Sequence, residues 1–233
     1  MGTISVSKLG GLSLIVGPVL ALIGYFLQPG GMLIDAADPA SASASVAAIN
    51  SNASLSQITG FVIPVGLIIF LYGLFVVQGN VKGNGNGDAL SRYGIQLFLI
   101  AVIGWVISSA LSNAIAGVDL TPKVPAEVAA QAAAAASTVA SGLYAATMGI
   151  NTTSAVFGGL GFTTLSLALS TRDDHNKIFA LVVAAAGLIS VLVALVGGFD
   201  SSQLQTLQPV SGICYIIIAA WSITLGLGLV NKE

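Results

Sequence analysis

The seven Lys and Arg and nine Asp and Glu of this 233-residue chain all fall in the gaps between six long apolar runs, and none falls inside one. The runs cover 9–27, 57–78, 93–116, 147–169, 178–198 and 209–230. A helix needs about 20 apolar residues to cross a hydrocarbon core about 30 Å thick. Only helices and closed barrels satisfy their backbone in lipid, and barrel strands are about half this long. Charged residues are 7% of the chain and mean hydropathy is +0.96, against about 25% charged in a soluble domain. These features predict an all-α, polytopic membrane protein. Residues 1–233 would form one integral domain, a six-helix transmembrane bundle.

Orientation follows from the cations beside the runs. Lys8, Lys82, Arg92, Arg172, Lys177 and Lys232 collect on one side, and only Lys123 lies on the other. Both termini are therefore expected in the cytoplasm. Lys8 before an apolar stretch resembles a signal peptide, but the stretch is too long and Gln28-Pro29-Gly30-Gly31 offers no small-x-small cleavage site. It reads as a retained first span.

The connections differ on the two sides. Gly79–Asp88 reads GNVKGNGNGD, a flexible linker in which Asp88 is placed to cap the incoming helix. Residues 171–177 form a tight turn, with Arg172 at the negative end of span four and Asp173 and Asp174 at the positive start of span five. The outer segment 35–56 is rich in Ala and Ser and suits a short helix. Pro125 opens an Ala-rich tract within outer segment 121–146, and Pro at a first helical position followed by Ala favours helix. Unbroken helix over 125–169 would be about 67 Å long, so a separate outer helix or a bend near Ser141-Gly142 is expected, capping the bundle.

Glycine spacing points to packing. Gly10, Gly17 and Gly24 recur every seven residues in span one, as do Gly66 and Gly73 in span two and Gly142 and Gly149 near span four. Two turns apart, each set shares a face on which neighbouring backbones approach closely. Trp105 and Trp221 fall near the middles of spans three and six, not at the interface where membrane Trp gathers. They suit core packing, with the wall of a ligand cavity as the other reading.

The polar residues of the spans gather at one depth. Asn113 and Asn151 lie about one turn inside the outer surface, with Ser112, Thr152 and Thr153. Tyr25, Gln57, Thr59, Ser211, Cys214 and Tyr215 reach the same level. Facing inward, they would line an outward-open vestibule beneath the Ala-rich cap. Facing neighbours, they would bond helix to helix. Asn52-Ala53-Ser54 matches the glycosylation pattern on the outer face. Cys214 is the only cysteine, which excludes intramolecular disulfides and cysteine metal sites.

Chemistry is poorly supplied. No acid, base or metal ligand lies within a run, and His175 falls in a connecting turn, so no enzyme, metal or cofactor is expected. No basic patch suggests nucleic acid. In plan, the chain resembles small six-span prokaryotic membrane proteins of uncharacterised function. These share cytoplasmic termini, a short helical outer loop after span one and a charged turn before span five. The resemblance covers the whole chain in architecture and carries no motif, so it assigns no residue a role. The function expected is that of an accessory or structural subunit, packing laterally with a membrane partner or with itself. The alternative is a passive pore or binding protein for a small neutral or apolar solute.

Overall fold

Six helices long and apolar enough to cross a membrane alternate in direction along the chain, and the protein is an integral multi-pass, all-α bundle. The structure, a computed structural model, describes residues 4–83, 85–121 and 123–231 and leaves the Asn86 side chain aside. Lys232, counted in the charge asymmetry, lies outside the described residues. The long helices are α1 (Val6–Leu27), α3 (Ala53–Val81), α4 (Asn86–Ala116), α5 (Ala126–Ser170), α6 (Lys177–Phe199) and α7 (Leu204–Val230). Short α2 (Ala42–Ser51) lies in the first distal loop, and a 3-10 turn (Ser201–Gln203) precedes α7. "Distal" here marks the end of the bundle away from the two termini.

The long helices close into a ring, in the order α1, α3, α4, α5, α6, α7 and back to α1. Glycine sets four of its six seams. A Cβ added to Gly17 would lie 2.8 Å from the Gly66 carbonyl oxygen, and one on Gly11 2.7 Å from that of Gly226. The same holds for Gly94 and Gly161 at 2.8 Å and for Gly159 and Gly187 at 2.6 Å. Backbones this close gain dispersion contact that no larger side chain would permit. The pairs join α1 to α3 and α7, and α5 to α4 and α6. Among the described residues the α3–α4 and α6–α7 seams have no such pair, so the ring divides into two glycine-joined halves.

Inside the ring, the half towards the termini is a dry core. Leu14, Leu74, Val81, Leu165, Leu169 and Val183 are almost fully buried there. At the distal end a second cluster joins Val46 and Ile49 of α2 to Ile115, Ala140 and Tyr144. Tyr144 Oη donates to the Pro39 carbonyl at 3.0 Å, and Asn50 Nδ2 donates to the Ile115 carbonyl at 3.2 Å. These bonds hold α2 over the mouth of the ring.

Two local expectations change. α5 is one unbroken helix of 45 residues, continuous through Ser141-Gly142. A lone glycine costs a helix about 1 kcal/mol relative to Ala, too little to break an Ala-rich run. The Ala-rich extension is thus the distal part of span four itself. Asp88 is not an N-cap, because α4 begins at Asn86. It sits in the first turn, where the helix dipole favours it, and takes a two-pronged bond from Arg92 at 2.8 and 3.0 Å. In the turn before α6, Arg172 grips Asp174 the same way at 2.8 and 3.1 Å. Asn176 caps α6 by accepting from the Phe179 amide at 3.0 Å.

Candidate functional site

The ring encloses a cavity of about 350 Å³ in its distal half, lined by all six long helices and by α2. Its wall on α4 runs from Phe98 to Ser112, about 21 Å at 1.5 Å per residue. The floor is aromatic. Phe70, Phe98 and Phe162 meet there with ring centroids 4.7–5.8 Å apart, and Trp105 lies edge-on to Phe98 at 6.2 Å. Beneath this plug is the dry core, so the cavity is blind.

Polarity changes with depth because each helix contributes one face. On α5, Tyr144, Thr147, Asn151, Ala155, Gly158 and Phe162 recur every three or four residues, a single stripe. That stripe is polar near the mouth and apolar at the floor. Ser108, Ser109 and Ser112 of α4 and Gln208, Ser211 and Tyr215 of α7 supply polarity at the upper level. Ser190 lies lower, and its hydroxyl is tied to the Ala186 carbonyl at 2.9 Å. No charged side chain belongs to the wall among the described residues.

Hydrogen bonding divides the polar residues of the wall. Thr147 and Ser190 bond back to their own helix at 2.9 Å, as do hydroxyls elsewhere in the spans such as Ser13 to Leu9, Ser166 to Phe162, Thr163 to Gly159 and Ser222 to Ile218, at 2.6–2.8 Å. Ser108, Ser109, Ser112, Asn151, Thr152, Ser211 and Tyr215 make no hydrogen bond to the described residues. Their polar atoms face the cavity uncommitted.

The residues singled out by sequence are placed as follows. Tyr25, Asn151, Thr152 and Tyr215 are brought together on the wall, with Ser112 and Ser211. Tyr25 packs edge-on to Tyr215 at 5.6 Å and points its hydroxyl at Met32 Sδ, 4.0 Å away. Gln57 lies on the exposed outer face of α3 and Thr153 on that of α5. Thr59 is buried but bonds to the Leu55 and Ser56 carbonyls. Asn113 turns to the α3–α4 seam, against Gly60, where its Oδ1 is buried without a partner. Cys214 is 3% exposed and off the wall. Asn52 lies exposed between α2 and α3, its amide on the Asp35 carboxylate.

Gly10, Gly17, Gly24, Gly66 and Gly73 all lie at the α1–α3 seam. The tryptophans do not meet. Trp221 sits in the dry core at 2% exposure, while Trp105 stands over Gly158 and forms part of the cavity wall. Sequence reading missed the floor and the upper wall at Thr147, Ser108 and Ser109. The Ser108/Ser112 spacing and the α5 stripe were the available signals.

Compared with known proteins, the chain matches no family model, no curated protein and no solved structure.

Proposed function

We propose that this protein binds a small neutral solute in its distal cavity and catalyses no reaction on it. Both termini would lie in the cytoplasm and the cavity mouth on the opposite side. The observation that carries this reading is the uncommitted wall. A polar side chain with no bond to protein keeps its donors and acceptors for water or a ligand. Seven such side chains around one cavity therefore favour a place where a bound molecule or water supplies the bonds. Among the described residues no Asp, Glu, His, Lys, Arg or Cys lines the wall, which supports binding over catalysis, and the aromatic plug argues against a continuous pore.

The test uses the Ser211→Cys variant in a Cys214→Ala background, with a membrane-impermeant maleimide added to intact cells. Labelling of the native protein is the expected result, with Cys214 in the unmodified chain protected until denaturation. A Ser211→Cys thiol that stays protected from both sides until denaturation would overturn the reading.

One observation supports a second role as a laterally packed subunit. Gly142 and Gly149 share an outward face of α5 and have nothing within 4 Å of an added Cβ. Small residues at this spacing suit close approach by another membrane helix, from a second copy or from a different protein. Solubilisation in mild detergent checks it: a stable complex lost on Gly149→Leu supports this role, and a clean monomer removes it.

A further inference from the structure

We infer that the solute is a single-chain neutral amphiphile of about ten to twelve carbons, held with its tail on the aromatic floor and one hydroxyl or amide head at the Ser108–Asn151–Ser211 level. This rests on the cavity being the binding site, and three features of its shape and chemistry carry it.

The first is proportion. About 350 Å³ is spread along a wall of about 21 Å, which makes a slot. At a water's share of about 30 Å³, that volume holds on the order of a dozen methylene-sized groups. In single file they run most of the slot's length. Two such chains side by side would need about twice that volume.

The second is the axial gradient. Phe70, Phe98, Phe162, Leu67 and Ile218 offer only hydrocarbon and ring surface to the deep end, and Trp105 adds its indole ring. Such surface gains about 25 cal/mol per Å² of apolar area removed from water. The deep hydroxyl of Ser190 is already bonded, which leaves the Trp105 N–H as the one donor at that level and no acceptor. The other uncommitted donors and acceptors lie above, and Asn151 offers both kinds in one side chain. A molecule with one apolar and one polar end fits in a single orientation.

The third is neutrality. Among the described residues the wall has no cation to pair with a carboxylate or phosphate head, and no anion for an amine. An ionised head would enter unpaired, at a cost that a neutral hydroxyl avoids. At the rim, Gly31 and Gln208 border both the cavity and a smaller outer depression of about 170 Å³.

Trp105 is a built-in reporter of the deep end. In the full-length Trp221→Phe variant it is the only tryptophan, and a bromine at the tail tip would quench its fluorescence. Three probes are titrated as mole fraction of the bilayer: ω-bromoundecanol, ω-bromoundecanoate at neutral pH, and bromoundecane. The alcohol is expected to quench saturably, to be displaced by unlabelled undecanol, and to act at about ten-fold lower concentration than the other two. Asn151→Leu should bring the alcohol to the level of bromoundecane. Ser112→Ala with Thr152→Val provides the milder check if that variant folds poorly. Saturable quenching at equal concentration by all three would overturn the assigned head group and leave the cavity as a binding site. Carboxylate binding as tight as alcohol would overturn neutrality. No saturable quenching by any probe would sink both this inference and the binding reading beneath it.

Discussion

Gly17 of α1 and Gly66 of α3 stand backbone to backbone, each placed so that a Cβ would reach the other's carbonyl oxygen within 2.8 Å. The atoms in the way are main chain, which cannot swing aside as a side chain can. Equivalent pairs hold α1 to α7, α4 to α5 and α5 to α6, so two three-helix units face each other across the cavity. The cavity exists because bulky aromatics from both units meet only at its floor.

The pairs should therefore be intolerant of even one methyl group. Gly66→Ala forces the α1–α3 seam apart, and overpacking of this kind costs about 1–3 kcal/mol. Gly159→Ala should cost a similar amount at the α5–α6 seam. A lowered midpoint in detergent unfolding checks both. Unchanged midpoints would mean that the seams are looser than the backbone distances imply.

Gly142 gives the opposite expectation. It lies in mid-helix with no neighbour within 4 Å, so alanine there adds helix propensity and meets nothing. Gly142→Ala should raise the unfolding midpoint, by the about 0.4–1 kcal/mol typical of such exchanges. A loss of stability in the purified protein would show that another chain packs against this face.

The spans were legible because charge exclusion is a one-dimensional signal, and depth along each helix followed from it. The glycine pairs of α1 and α3 were legible because both members repeat every seven residues. Gly161, Gly159 and Gly187 carry no such period, and only the tertiary fold pairs them. Rotation of each helix about its axis was the hardest property to read. Apolar runs facing lipid on one side and core on the other have little contrast, so depth alone could not separate inward Asn151 from outward Gln57. The unbroken α5 was misjudged for another reason: length was argued from membrane thickness, and the packing of its distal part on α2 was not visible.

Acid should weaken the loop structure before it affects the spans. Arg172's hydrogen bond to Asp174 holds that carboxyl below its ordinary 3.8, and bonds from Ser202 do the same for Asp200. A depressed folded-state pKa contributes stability that is fully present above the unfolded value and is lost as pH falls through the lowered one. Both carboxylates are exposed, so the effect is small. Unfolding midpoints should be flat near neutrality and decline below about pH 4, and Asp174→Asn should reduce the decline. An acid limb identical in that variant would assign the decline to other groups.

The sharpest test of the α3–α4 seam is the contact between Gly60 and Asn113. Asn113 Oδ1 is buried against Gly60 and accepts no hydrogen bond among the described residues, so the amide occupies the space that a Cβ at position 60 would need. Gly60→Ala alone should be strongly destabilising. Asn113→Ala alone removes a buried acceptor without a partner, so it loses packing contact but no hydrogen bond and should cost little. Together the two changes place a methyl group where the amide was. Their combined cost should fall below the sum of the single costs by about 1 kcal/mol or more, the coupling expected of residues in direct contact. Strict additivity in unfolding measurements would show that the seam relaxes around Asn113. It would then lack the rigidity needed to hold the two halves at a fixed distance across the cavity.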